Sequence, residues 1–259
     1  MKEREKFLPS NLFEGMTSVR AVLRAGELGI SDRRIVEILY DTERAASRAK
    51  ELGYLKRIAE DRGFLLTPCT KEEIDALTVG TSHGGIVARC TDRRPVFLEE
   101  LSKENFPENG FYMMLDGIED PYNFGYALRS VYAAGADGVL LPQRSWMNAA
   151  GVVCRASAGA SELLPMYTAA PERAVDFFKE KGYKIVCADK RNSVGVYTAD
   201  LRRPIFMIVG GEKRGIRASV LERADCIVRI DYGRVFSASL SAASAATILS
   251  FEILRQNQK

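Results

Sequence analysis

Histidine and tryptophan are almost absent from this chain of 259 residues: His83 and Trp146 stand alone. With one histidine and nothing near it to complete a ligand set, no metal site is expected. No histidine follows position 83, so an imidazole base is excluded from any chemistry of the C-terminal half. Disulfide signals are also missing. Cys69, Cys90, Cys154, Cys187 and Cys226 are scattered without C-x-x-C spacing, and an odd set of this kind in an intracellular chain reads as reduced, mostly buried thiols. No apolar run approaches the ~20 residues of a membrane span. Met1-Lys2-Glu3-Arg4-Glu5-Lys6 is charged where a secretory signal carries its apolar stretch, so a cytoplasmic location without membrane contact is the expectation. Charge of one sign is scarce too. The net value of +3 does not by itself announce nucleic-acid binding. Residues 1–110 hold 18 Lys/Arg against 19 Asp/Glu, and residues 111–259 hold 19 against 15. The pairs Arg33-Arg34, Arg93-Arg94, Lys190-Arg191, Arg202-Arg203 and Lys213-Arg214 read either as solvated surface or as phosphate contacts.

What is present is an ordinary globular composition, 46% apolar and 27% charged, arranged as alternating strands and helices. In the first part the patterns predict a helix over 14–28, a strand over 34–40 and a helix over 43–61 stopped by Gly63. They then predict a short strand over 64–66, a helix over 71–78 with a capping box of Thr70 and Glu73, and a strand over 85–90. A connector rich in proline, asparagine and charge follows, with a helical turn at 98–102. Beyond it, strands are predicted at 111–116, 138–141, 163–167, 184–188, 205–209 and 226–230. Helices are predicted at 124–135, 147–157, 171–182, 215–223 and 240–256. Near-continuous apolar strands such as Ile205–Val209 fit a parallel sheet buried on both faces. The expected organisation is a small α/β domain over 1–92, a linker over 93–110 and a larger α/β domain over 111–259.

Three segments of the larger domain carry the chemistry. Asp120-Pro121-Tyr122-Asn123-Phe124-Gly125-Tyr126-Ala127-Leu128-Arg129 runs from the end of a strand into a helix, placing the Asn123 amide on the turn and the Arg129 guanidinium about two turns on. That pairing suits a sugar or a phosphate at a strand's C-terminal edge. Val209-Gly210-Gly211-Glu212-Lys213-Arg214-Gly215 is a glycine turn after a buried strand. It is neither a Walker loop nor a G-x-G-x-x-G fingerprint, but its glycines let backbone approach a ligand closely. Ser237-Ala238-Ser239-Leu240-Ser241 opens a helix of small residues, whose serines either cap it or touch a substrate.

In this order and spacing the segments resemble the three motifs of the SpoU/TrmH-type RNA 2′-O-ribose methyltransferases of the SPOUT superfamily. Ser157-Ala158-Gly159-Ala160 matches a segment these proteins carry between the first two motifs. Glu14-Gly15-x-x-Ser18-Val19 and His83-Gly84-Gly85-Ile86-Val87 resemble points of the substrate-binding domain that precedes the catalytic one, a domain similar to RNA-binding ribosomal proteins. The resemblance implies an α/β fold whose C-terminal stretch forms a trefoil knot, a homodimer with the active site near the subunit interface, structured rRNA or tRNA as substrate, and S-adenosylmethionine as cofactor. Carried over by position, Gly210, Gly211, Glu212, Ile230 and Leu240 hold the cofactor, while Arg129, Asn123 and Ser239 form the catalytic set. A side chain at Gly210 is expected to exclude the cofactor sterically. The chain departs from the family where motif three usually reads Ser-Leu-Asn: here it is Ser239-Leu240-Ser241. The Pro-Met that usually follows the isoleucine is Asp231-Tyr232, and the loop after it is one residue longer. This departure keeps a second reading open, a weakened or inactive relative that binds RNA. A third, an unrelated α/β enzyme for a phosphorylated metabolite, rests only on the glycine turn and Arg129. His83 and Trp146 each admit an RNA contact or a purely structural role.

Overall fold

The computed structural model describes residues 11–79, 83–101, 106–142, 149–211 and 213–258. By compactness the chain divides into two units, Met1–Arg94 with Trp146–Leu163, and Pro95–Ser145 with Leu164–Lys259.

The first unit is built on four strands, β1 (Leu12–Glu14), β2 (Ile35–Asp41), β3 (Leu65–Cys69) and β4 (Ile86–Cys90), in the order β1-β4-β2-β3. β2 and β3 are parallel and β4 runs antiparallel to β1 and β2. Helix α1 (Gly15–Glu27) follows β1, α2 (Ala49–Arg62) makes the parallel crossover, and α3 (Lys71–Leu77) follows β3. Local chemistry sets their ends. Gly63 takes the left-handed conformation (φ 73°) and its N–H closes α2 on Ala59 O. The Thr70 hydroxyl accepts from Glu73 N (3.2 Å), and the Glu73 carboxylate accepts from Thr70 N (2.8 Å). α2 begins later than the pattern 43–61 predicts, because Asp41 Oδ1 accepts from Glu43 N (2.9 Å) and shapes 42–48 as turns. β1 escapes sequence reading: at three residues it shows no alternation.

Phe13, Val19, Val22, Ile38, Leu55 and Ile86 form the core of this unit, together with Cys154 of α5 (Ala150–Ala156). α5 and the short α6 (Ala160–Leu163) pack on β1 and α1. Three arginines, two from the first part and one from the segment itself, tie this later segment in place. Arg33 Nε donates to Glu162 Oε2 (3.1 Å), with both side chains only 3% exposed. Arg93 Nη1 donates to Ser161 O (3.0 Å), and Arg155 Nη1 donates to Glu14 Oε2 (2.6 Å). Chain order alone would leave 149–163 with the larger domain; packing and these arginines put it with the first unit.

The second unit holds seven strands: β5 (Phe111–Asp116), β6 (Gly138–Leu141), β7 (Met166–Thr168), β8 (Lys184–Ala188), β9 (Val194–Gly195), β10 (Ile205–Gly210) and β11 (Cys226–Arg229). Their order is β7-β6-β5-β10-β8-β11-β9, and every pairing is parallel. The central β5 and β10 are buried almost throughout, as expected of a parallel sheet covered on both faces. Tyr112, Met114, Phe206 and Ile208 face a cluster that includes Val175 and Phe178 of α7 (Pro171–Glu180), where Phe178 stacks on Phe206 at 4.2 Å between ring centroids. The alternate residues face the other side, where α9 (Ala242–Asn257) touches β10 and lies along α4 (Pro121–Ala133). The strand expected over 163–167 is β7, beginning only at Met166. Ala158 and Gly159 (φ 52° and 89°) turn the chain into α6 first. The helix expected over 215–223 shrinks to α8 (Ala218–Leu221), because Gly215 (φ 62°) belongs to the turn.

Candidate active site

Parallel strands direct their C-terminal ends to one edge of the sheet, and the loops leaving that edge are where α/β proteins bind ligands. Here the strand order reverses around β10, so the loops after β5, β8, β10 and β11 gather there.

The glycines of the β10 loop are required by backbone meeting backbone. A Cβ on Gly210 would lie 2.6 Å from Gly215 C and 2.8 Å from Ile216 N, and one on Gly211 would lie 2.2 Å from Gly117 O. Gly211 N donates to Asp116 O, joining the β10 loop to the β5 loop, and Gly215 N donates back to Gly211 O (3.0 Å). At the start of α4, Asp120 is the N-cap and its Oδ1 accepts from Asn123 N (2.7 Å), with Pro121 at the first helical position. Asn123 therefore sits in the first helical turn rather than on the loop. At α9 the N-cap is Ser241, whose Oγ accepts from Ser244 N (3.1 Å). Serine and asparagine cap helices about equally well, so the Ser-Leu-Ser departure preserves the turn into α9.

Cavities open at this edge, and two of them hold the residues of interest. The first, about 320 Å³, is lined by Ala188–Arg191 after β8, by Gly210, Gly211 and Gly215, by Arg229, Ile230 and Tyr232 after β11, and by Ser239, Leu240, Ala242 and Ala245 at the entry to α9. Tyr232, Ser239 and Leu240 belong to the 231–241 loop. Leu240 N donates to the Tyr232 hydroxyl (3.2 Å), Phe236 meets the Tyr232 ring edge-on, and Lys190 Nζ lies 5.2 Å from the centre of that ring. The second cavity, about 380 Å³, is lined by Gly117–Pro121, Asn123, Lys213 and Ala242. Ala242 borders both.

The structure thus brings Gly210, Gly211, Ile230, Ser239 and Leu240 to the first cavity and Asn123 to the second. Glu212 lies outside the described residues, as does Trp146. Arg129 is exposed on α4 and is not among the residues lining these cavities. Its neighbours Tyr122 and Tyr126, and Phe251 of α9, are exposed as well. His83, in the first unit, is 3% exposed: its Nδ1 accepts from Gly85 N (3.1 Å) and its Nε2 lies 3.0 Å from Asp75 Oδ1. Those contacts give the ring a structural role. Burial pushes the thiols of Cys90 and Cys187 up to about 12 and that of Cys154 up as well, so none is a ready nucleophile near neutral pH. Sequence reasoning missed Asp189, named Tyr232 only as a departure from the family pattern and Lys213 only within the glycine turn and a basic pair, and read Lys190 and Arg191 only as a basic pair. The available signal was position, since each follows a buried strand directly or lies in a loop that does.

A parallel α/β sheet with a cavity at its switch point is the arrangement in which α/β proteins bind ligands. The family description "SpoU rRNA Methylase family" matches residues 110–251, and "RNA 2′-O ribose methyltransferase substrate binding" matches residues 12–96. The chain belongs to the SpoU rRNA methylase family. It is 31% identical over 249 residues to the 23S rRNA (guanosine-2′-O-)-methyltransferase RlmB of Shewanella oneidensis, covering 94% of this chain and 96% of that one. Against RlmB of Photobacterium profundum it is 27% identical over 253 residues, covering 97% and 100%. Among solved structures it is similar to an RNA 2′-O ribose methyltransferase (25% identity, TM-score 0.74, 95% of this chain and 88% of that chain). It also shares the fold of an rRNA methyltransferase from Sinorhizobium meliloti (23% identity, TM-score 0.76, 96% and 89%).

Proposed function

We propose that this protein transfers a methyl group from S-adenosylmethionine to a ribose 2′-hydroxyl of structured rRNA in the cytoplasm. The observation that carries the reading is the pair of cavities sharing Ala242, one walled by Gly210, Gly211, Ile230 and Leu240, the other holding Asn123. The first cavity fits the cofactor by size and lining. Its volume of about 320 Å³ lies at the lower end of the ~300–1,000 Å³ usual for small-molecule sites. Apolar side chains (Val209, Ile230, Leu240, Leu249) suit an adenine, and Gly210, Gly211 and Gly215 bring main chain to the cavity wall. Gly210, Gly211, Ile230 and Leu240 would hold the cofactor. When bound there, S-adenosylmethionine supplies a methyl already activated on a cationic sulfur.

The work left to the chain is alignment and removal of the hydroxyl proton. Arg129 is a poor base, since a guanidinium keeps its proton to pH ~12 and above. In this reading it binds the phosphate next to the target ribose and stabilises the developing alkoxide. Asn123 orients the ribose, and Ser239 shapes the wall between cofactor and substrate. Arg129 acts at an interface: α4 and α9 lie side by side, with Thr247 Oγ1 2.7 Å from Ser130 Oγ, and their exposed Tyr122, Tyr126 and Phe251 form the face on which a second copy docks. The same reading assigns RNA capture to residues 1–92, a linker to 93–110 and catalysis to 111–259. It threads α9 through the 189–204 loop as a trefoil knot. Leu201 N donates to Gln256 Oε1 (2.8 Å) and Arg203 N to Asn257 Oδ1 (3.0 Å), so this loop lies against the C-terminal end of α9, as the knot requires.

The RlmB relatives are named for guanosine of 23S rRNA, which makes an unmodified 23S rRNA transcript the first substrate to test. Incubation with methyl-labelled S-adenosylmethionine should give label in the RNA, and digestion should place it on a ribose. No incorporation by folded protein that still binds the cofactor would favour the inactive-relative reading. Absence of cofactor binding would defeat both this assignment and the proposed pocket.

A further inference from the structure

We propose that Lys213 is a ligand for a backbone phosphate of the RNA, and that Glu119 holds its ammonium in that phosphate's place until the RNA arrives. The inference rests on the RNA-methyltransferase reading and names a contact within it.

Lys213 Nζ donates to Glu119 Oε2 at 2.6 Å, joining the loop after β5 to the loop after β10 across 94 residues of sequence. The two side chains are 79% and 61% exposed, and an exposed ion pair adds little to stability. The bond is therefore easily exchanged for another. Its position matters more than its strength. Both residues line the second cavity with Asn123, and both also line a smaller cleft with Arg214 and Arg217. A carboxylate oxygen at hydrogen-bond distance occupies the place on the ammonium that a phosphate oxygen would take. Lysine, a compact point charge with three donors, suits a phosphate that arrives in varied orientations. Arg217 is engaged with Glu172 (3.5 Å), while Arg214 is exposed beside Lys213, so these basic residues face Asp116 and Glu119 across the cleft. When a phosphodiester takes over the ammonium, the substrate replaces the Lys213–Glu119 link between the two loops, while the bond from Gly211 N to Asp116 O still joins them.

The test is a double-mutant cycle of Lys213→Gln and Glu119→Gln in the full chain, using unmodified 23S rRNA transcript. Methyl-transfer kinetics are read together with RNA binding across a salt series. Lys213→Gln should raise KM for the RNA about tenfold, with the change falling on KM rather than kcat. It should also flatten the slope of log K against log salt by ~0.7–0.9, the share of one phosphate contact. Glu119→Gln should lower KM several-fold in the wild-type background and have no effect once Lys213 is gone. An equal benefit of Glu119→Gln in both backgrounds would reduce its role to general charge repulsion and overturn the proposal. So would an unchanged salt slope in Lys213→Gln. Wild-type protein that neither binds nor methylates the RNA would defeat the functional reading itself, an outcome distinct from a failed cycle.

Discussion

Adding one methyl group at Gly210 tests whether the β10 turn is the wall of the cofactor site. In Gly210→Ala the new Cβ would stand 2.6 Å from Gly215 C and 2.8 Å from Ile216 N, where ordinary contact begins at 3.4 Å. Both obstacles are main chain, so no rotamer change relieves them, and residues 215–216 must retreat by about 0.8 Å. The obstruction therefore falls on the turn itself, and the cavity is lost by displacement of its wall rather than by a side chain filling it. Overpacking of this size costs ~1–3 kcal/mol of stability. Loss of one or two main-chain hydrogen bonds to the cofactor would add ~1–3 kcal/mol to the binding free energy, an increase in Kd of ~5- to 150-fold. Urea unfolding and calorimetric titration with S-adenosylmethionine read the two effects separately. Gly53→Ala is the control: Gly53 lies inside α2 with nothing within 4 Å of a Cβ, so the same change should stabilise by ~0.5–1 kcal/mol. A Gly210→Ala protein with wild-type unfolding midpoint and wild-type Kd would refute the reasoning.

Arg129→Ala should reduce methyl transfer by ~10²-fold or more while calorimetry finds cofactor affinity within a few-fold; a large loss of affinity would misplace its role. Arg33→Ala should destabilise the protein by ~3–5 kcal/mol in urea, because Glu162 is left as a buried, unpaired carboxylate. Replacing both partners with apolar residues of similar volume should recover most of that loss. Ser241→Ala should cost ~1 kcal/mol by removing the cap of α9, whereas Ser241→Asn should be nearly neutral, both measured by thermal or urea unfolding.

Much of this protein was legible along the chain because the determinants are local. Buried runs such as Phe111–Asp116 and Ile205–Gly210 announce central parallel strands by composition alone. The Thr70–Glu73 capping box and the Gly63 stop act over three or four residues, so sequence spacing locates them. Motif order grouped Gly210, Gly211, Glu212, Ile230 and Leu240 as one set and Ser239 with Arg129 and Asn123 as another; Gly210, Gly211, Ile230 and Leu240 share one cavity, which Ser239 also lines and Arg129 and Asn123 do not. Short elements were not legible: β1, β9 and α6, at two to four residues each, are too brief for a period to register and exist only because neighbours complete their hydrogen bonds.

Tertiary structure alone decided the rest. Nothing in the sequence near Ser157–Leu163 shows that Arg33 and Arg93 reach it from far up the chain, because a buried ion pair is specified by three-dimensional approach and not by spacing. Nor does Lys213 advertise Glu119, which meets it only because β5 and β10 are neighbours in the sheet. The chain by itself determined which residues want to be strand, helix, cap or turn; the fold decided which distant turns share an edge, and a pocket is a property of that sharing.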